Sequence, residues 1–199
     1  MKLMRRYYFY MEKKITLAVS GEKGSFSEEA GLIYMQRTGV EMELVFAMDM
    51  EGVLSLVERG EVERGIFPVV NSRGGLVQTA FEAMGKHLFS MIGEVWLDVH
   101  QCLMTLPGVK KEDIKNITSH PQALSQCERY LSKEFKNIPL TEWEDTAKAA
   151  KDLAARVLPK DTAVIAPARS AQIYGLSVIA PSIQDNHPNL TTFIVVKKL

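Results

Sequence analysis

The chain lacks most of the features that assign a sequence to a class quickly. Its 199 residues include only two cysteines, Cys102 and Cys127, with no Cys-x-x-Cys neighbour and no histidine at zinc spacing. A zinc site is therefore not expected, and the thiols are taken as reduced and buried in a cytoplasmic protein. Neither sign of charge is in surplus: Lys plus Arg and Asp plus Glu are both 24. A nucleic-acid partner would call for a basic excess, so none is expected. No segment approaches the roughly 20 apolar residues of a bilayer span, and no membrane association is expected. The N-terminus has neither the apolar stretch nor the small-residue cleavage site of a secretory signal. Met1–Lys14, with Arg5, Arg6 and the aromatic run Tyr7–Tyr10, is set apart as a tail of unassigned role, and Met4 and Met11 are alternative starts.

What is present reads as a globular α/β chain. Hydrophobic residues make up 46% and charged residues 24%, enough for one large core or two small ones. Strand and helix patterns alternate. Ile15–Ser20 is an apolar strand followed by a Gly-rich loop. Ser25 with Glu28 three residues on has capping-box spacing for the next helix. Glu43–Ala47 reads as a strand, with Asp49 capping a helix that runs to Gly60. Arg64–Val70 is a strand breaking at Pro68, and Leu76–Met84 a helix. Glu94–Thr105 alternates as one long strand, with Val95, Leu97 and Val99 on its apolar face. Pro107-Gly108 marks a boundary. Beyond it come a strand at Ile114–Thr118, a helix opened by Pro121, and a helix capped by Asp145. A strand at Thr162–Ala166, a helix at Ala168–Tyr174 and strands at Leu176–Ala180 and Thr191–Lys197 complete the chain. Largely parallel sheets are expected, in two lobes. Residues 15–105 with 181–199 form the first lobe and 106–180 the second, with a ligand cleft between them.

Three stretches have the makings of a site. Gly21–Ser27 is a strand–Gly loop–helix entry that presents backbone N–H groups to an anion; no Gly-Lys-Ser/Thr follows, so it is not a Walker loop. Asn71-Ser72-Arg73-Gly74-Gly75 is a polar turn directly after a buried strand, where α/β proteins place ligands, although it also suits an ordinary tight turn. Thr118–Cys127, T-S-H-P-Q-A-L-S-Q-C, sets Ser119, His120 and Gln126 around a proline suited to a first helical turn. Its apolar residues Leu124, Cys127, Leu131 and Phe135 recur at helical spacing, and the same segment also reads as a plain capped helix. His100 has no sequence-near ligand partner and reads as structural.

Taken together, these stretches resemble the prephenate dehydratase family. G-E-K-G-S-F-S-E-E-A at Gly21–Ala30 is similar to that family's Gly-x-x-Gly-Thr-Phe-Ser-Glu loop. G-I-F-P-V-V-N-S-R-G-G at Gly65–Gly75 stands against its Pro-x-Glu-Asn-Ser-x-x-Gly. Ser119–Cys127 follows the family pattern almost throughout, and Ile183–Phe193 resembles a closing region ending Asn-x-Thr-Arg-Phe. The resemblance runs in order from Ile15 to Val196. It implies a two-lobed fold like type II periplasmic binding proteins, and conversion of prephenate to phenylpyruvate with loss of water and carbon dioxide, in phenylalanine biosynthesis. It calls for no metal or organic cofactor and suggests a homodimer or higher homo-oligomer.

Carried over by position, Thr191 donates to the departing hydroxyl. Asn71, Ser119 and Gln126 orient substrate and stabilise charge, Glu144 matches an acidic position that the family uses near its site, and Ser25, Phe26 and Ser72 line the cleft; Arg73, His120 and Phe193 are further substrate-binding candidates. The chain departs from the family where Val70 replaces Glu, Thr192 replaces Arg and Gly74 stands where an acid is common. Losing an acid and a base together fits the clean removal of an ion pair and equally a site that no longer handles a dicarboxylate as the family does, and Arg73 is the residue expected to restore a positive charge. Two other readings follow from the same residues: a prephenate decarboxylase that keeps the hydroxyl, and a non-catalytic binder of an aromatic-pathway acid. The chain ends six residues after Phe193, so no ACT regulatory domain, and hence no feedback inhibition by phenylalanine through one, is expected. Arogenate, with an amine in place of the keto group, is the open alternative substrate.

Overall fold

The computed structural model describes residues 14–199; apart from Lys14, the N-terminal tail lies outside the described residues. β1 (Ile15–Ser20) is buried along its last four residues. α1 (Phe26–Thr38) starts where Ser25 Oγ accepts the Glu28 N–H while the Glu28 carboxylate accepts the Gly24 N–H, a reciprocal cap, and it stops at left-handed Gly39. β2 (Met42–Ala47) leads to α2 (Met50–Arg59), capped by Asp49 and closed by Gly60. β3 (Arg64–Asn71), β4 (Gly75–Leu76), α3 (Gln78–Met84) and β5 (Phe89–Asp98) follow. Then come β6 (Cys102–Thr105), β7 (Asn116–Ser119), α4 (Pro121–Gln126), α5 (Glu128–Glu134) and β8 (Leu140–Glu142). α6 (Thr146–Ala154), capped by Asp145, β9 (Thr162–Ala166), α7 (Ala168–Tyr174), β10 (Ser177–Ala180) and β11 (Leu190–Lys198) complete the chain.

These elements form two lobes, each a sheet with helices on both faces. The first sheet has the order β2-β1-β3-β11-β5 with β4 on β3; the second has the order β10-β6-β9-β7-β8. In the first lobe, α2 and α3 bury Val53, Leu54, Val57 and Ala80 against one face, and α1 buries Ala30 and Tyr34 against the other. In the second, α6 and α7 cover one face through Leu153 and Ala171, and Leu124, Cys127 and Leu131 cover the other. Both sheets are mixed rather than largely parallel. β11 returns from the second lobe without a helical crossover and so runs antiparallel to β3 and β5.

The expected long strand at 94–105 is two strands in different sheets. The alternation is real, since Val95, Leu97 and Val99 are buried and Trp96 exposed. The chain leaves the first sheet after Asp98, however, so Cys102–Thr105 belongs to the second. Neither Gly nor Pro marks the break; Val99 N–H donates to Asn189 O and Gln101 N–H to Gln184 Oε1, which replaces the ladder with bonds to the returning segment. Pro68 does not end β3 either. It sits opposite Phe193, where the β11 register shifts, and a bulge tolerates its missing N–H. The helix from Pro121 is two short helices meeting at Cys127, with Leu124, Cys127, Leu131 and Phe135 all buried.

The lobes are latched along the Gly21–Ser25 loop. Arg169 of α7 pairs with Glu28 of α1 through two nitrogens, both at 3.1 Å. Ser170 Oγ donates to Gly24 O, Tyr174 OH to Lys23 O, and Lys151 pairs with Glu22. Gly24 lies at φ +91, and a Cβ there would stand 2.8 Å from Ser170 Oγ. Only glycine allows that approach.

A second clamp lies within the first lobe. His87 donates to or accepts from Glu58 at 2.7 Å and Glu51 at 2.8 Å, tying the α3–β5 connection to α2. The Glu58 and Glu51 hydrogen bonds hold its pKa above the ordinary imidazole value, and the same contacts hold both carboxyls low. A raised imidazole pKa contributes stability in full below the unfolded value, and the contribution is lost as pH rises through the folded value. The stability difference between wild type and His87→Gln, measured by urea unfolding, is therefore expected to shrink steadily from pH 6 to pH 9. A difference independent of pH over that range would show that the clamp does not involve imidazolium.

Candidate functional site

A cavity of about 620 Å³ opens between the lobes. Three helices of two turns or more begin on it: α1 through Ser25–Ser27, α2 through Asp49–Glu51 and α6 through Glu144–Thr146. Helix N-termini carry unbonded N–H groups and partial positive charge. Two of the three have carboxylates at the N-cap, Asp49 and Asp145; α1 has the neutral Ser25 there, and the Glu28 carboxylate that completes its cap is matched by Arg169. The start of α1 is thus the place in the cavity best suited to a ligand anion.

Thr191, Asn71, Gln126, Glu144, Ser25, Phe26, His120 and Phe193 all border this cavity. Thr191 and Asn71 face each other as register partners on β11 and β3, and Asn71 Nδ2 donates to Thr191 Oγ1 at 2.8 Å. The orientation of that amide is set by the turn beyond it. Asn71 Oδ1 accepts the N–H groups of Arg73 and Gly74, both at 2.8 Å, so its nitrogen faces Thr191 and Asn189 Oδ1. Asn189 Nδ2 donates in turn to Gln126 Oε1 at 3.0 Å, which also accepts from Gln101 Nε2. A continuous line of amides therefore joins the threonine of one lobe to the glutamine of the other. With Oγ1 already accepting, the Thr191 hydroxyl hydrogen remains available to an acceptor in the cavity, as does the Gln126 NH2 group.

His120 accepts the Gln122 N–H on Nδ1. Burial lowers its pKa, opposed by the nearby Asp145 and Glu142 charges, so the ring is neutral with its hydrogen on Nε2. Asp145 is pushed up, chiefly by burial, against the backbone N–H bonds it accepts as a cap. Glu144 is exposed at the rim, 3.7 Å from Lys148.

Three residues named from the sequence stand elsewhere. Ser119 is fully buried, and its hydroxyl donates to Ile165 O at 2.6 Å, so it braces β7 against β9 and presents no group to the cavity. Ser72 Oγ accepts the Leu190 N–H. Arg73 borders a smaller hollow of about 200 Å³ together with Gln126 and Asn189, and it is not among the residues that line the cavity. Conversely, Asn189, Gln101 and Gln122 escaped the sequence reading. Asn189 was within reach as the asparagine of the family's Asn-x-Thr pattern, and Asp145 read only as a helix cap.

The Val70 and Thr192 departures meet in space. They are direct partners across β3 and β11, one residue from the Asn71–Thr191 pair, and neither borders the cavity. Side chains alternate between faces along a strand, which puts the lost acid–base pair away from the threonine. Val70→Glu alone is expected to destabilise by about 1–3 kcal/mol, because it leaves a partly buried carboxylate without a cation. Adding Thr192→Arg is expected to recover about 0.2–1 kcal/mol of coupling, read by thermal unfolding of both singles and the double. Strictly additive effects would contradict the pairing.

Comparison with known proteins identifies the family of the chain. The family model described as prephenate dehydratase matches residues 17–199. "Arogenate dehydratase 1" of Petunia hybrida is 37% identical over 185 residues, which is 92% of this chain and 42% of that protein; the chain thus spans less than half the length of this curated relative. The structure of a prephenate dehydratase from Arthrobacter aurescens in complex with L-Phe superposes with a TM-score of 0.83 at 28% identity, covering 93% of this chain and 61% of that one. A periplasmic substrate-binding protein of an ABC transporter from Coxiella burnetii, 15% identical with a TM-score of 0.52 over 92% of this chain and 84% of its own, shares the fold alone. The two lobes are those of a type II periplasmic-binding-protein-like fold, and the chain belongs to the prephenate dehydratase family.

Proposed function

We propose that this chain turns a cyclohexadienyl acid, prephenate or its amino counterpart arogenate, into an aromatic acid with loss of water and carbon dioxide. The observation that carries the reading is the Thr191 hydroxyl, fixed by Asn71 at the cavity wall. In the reaction the bond from ring to carboxylate breaks and its electron pair moves into the ring. The bond to the ring hydroxyl breaks at the opposite carbon, and that oxygen departs as hydroxide, which becomes water by taking a proton from solvent. Thr191 O–H is a feeble acid, so its part is a placed hydrogen bond to the departing oxygen, with Gln126 NH2 and neutral His120 Nε2–H as further donors where charge develops. The substrate carboxylate that is retained lies at the start of α1, beside Ser25 and Phe26. Aromatisation supplies the driving force.

The same reading has phenylalanine biosynthesis as the pathway, the cytoplasm as the compartment and a homo-oligomer as the working form. The free, buried Cys102 and Cys127 are in keeping with a reducing compartment. Exposed Met91 and Trp96 on the edge strand β5 suit association of copies.

The test is incubation of purified protein with each acid, following the absorbance of phenylpyruvate or phenylalanine. Thr191→Val is expected to lower kcat about 10²–10³-fold, the usual cost of one lost donor to a charge-bearing oxygen, and Thr191→Ser to lose far less. Carbon dioxide release without an aromatic product would mark a decarboxylase. Binding without turnover would mark a non-catalytic relative.

A further inference from the structure

The cavity is poor in cations for a site that takes a dicarboxylate. Asp49, Glu51, Glu82, Glu144 and Asp145 border it, against Lys86 and the neutral His120. Asp49, Glu82 and Glu144 are exposed, and Glu51 is matched by Lys86 and His87. Asp145 differs from all of these. It is recessed, its hydrogen bonds come from backbone N–H groups at the start of α6, and among the described residues no Lys or Arg forms an ion pair with it; the one imidazole close enough to act on it, His120, is neutral. A desolvated carboxylate in that position is completed by a cationic group on the ligand.

Its place matches one part of the substrate. Gly21, at φ +88, separates Asp145 from the start of α1; a Cβ on it would stand 3.2 Å from Asp145 Oδ2 and 3.6 Å from Ser25 Oγ. The carboxylate oxygen and the α1 entrance therefore flank the same bare stretch of backbone. An α-amino acid head, with its carboxylate at the helix start and its ammonium on the next carbon, spans that gap. An α-keto acid offers Asp145 only a carbonyl oxygen, and two acceptors repel.

We propose that Asp145 is the specificity-determining residue of this cavity, its carboxylate receiving the ammonium group of an amino-acid substrate and so selecting arogenate over prephenate. The proposal rests on the dehydratase reading for its substrates. Asp145→Asn is the informative variant, because asparagine caps a helix as well as aspartate does while removing the charge; an unchanged melting temperature checks that the cap survives. The ratio of kcat/KM for arogenate to that for prephenate is expected to fall at least about tenfold, the scale of a hydrogen bond to a charged group. Asp145→Ser, a shorter neutral cap, is expected to do the same. A ratio that stays within twofold, or a wild type that prefers prephenate, overturns the assignment while leaving the dehydratase reading in place. Calorimetric binding of phenylalanine and phenylpyruvate, which differ by the same ammonium-for-keto exchange, reads the residue without turnover. Selective loss of phenylalanine binding in Asp145→Asn supports the proposal even if neither acid is dehydrated, a result that would remove the dehydratase reading alone. Equal loss of both ligands refutes the proposal.

Discussion

The site depends on one amide, that of Asn71. Two backbone N–H groups of the following turn claim its oxygen, so its nitrogen is committed to Thr191 on one side and Asn189 on the other. Everything downstream inherits that orientation: the lone pair of Thr191 that is occupied, the hydroxyl hydrogen left for a ligand, and the Asn189 nitrogen aimed at Gln126. Buried amides that satisfy one another in series are worth more than isolated pairs, and each leaves a costly orphan if one member is removed. The line does not close perfectly. Gln101 Oε1, buried beside the line, has no hydrogen-bond partner among the described residues.

That arrangement is held on the other flank of the cavity by the Glu28–Arg169 pair. Glu28 is almost wholly buried and does two jobs, closing the cap of α1 through Gly24 N–H and receiving the guanidinium of α7. A buried ion pair is a weak source of net stability, because desolvation offsets its attraction, but breaking it by removing one partner is severe. Its geometric demand fixes how α7 meets the loop, and the bare backbone of Gly24 lets Ser170 approach closely enough to complete the contact. The Gly21–Ser25 loop thus serves as a contact surface between lobes and as the entrance to α1. Packing and ligand binding share the same few residues.

Much of this was legible in the sequence where local chemistry decides structure. Ser25 with Glu28, Asp49 with Gly60, and Asp145 with the alanine-rich run behind it give helix ends that stand where their side chains require. Two lobes follow from the break near residue 106, whereas the meeting of Thr191, Asn71 and Gln126 at one cavity is what the resemblance to the family implies. The failures share a cause. The crossing at Val99–Gln101 carries no glycine or proline, and its alternation continues unbroken across two sheets, so nothing local announces it. Ser119 lies at a strand end where its orientation is set by Ile165 of a distant strand. Asp145 was read correctly as a cap, yet a cap uses one carboxylate oxygen, and the fate of the other is a tertiary matter.

The departures at Val70 and Thr192 carry the same lesson in reverse. Read one at a time, each removes a charge expected near chemistry. As cross-strand partners they remove a pair, and the register puts that pair beside the cavity without entering it. The most direct test of the amide line is a double-mutant cycle on kcat/KM between Thr191→Val, in the first lobe, and Gln126→Ala, in the second. Coupling through Asn71 and Asn189 predicts an interaction energy above about 0.5 kcal/mol, whereas additivity within about 0.3 kcal/mol would contradict a line that joins the two lobes into one site.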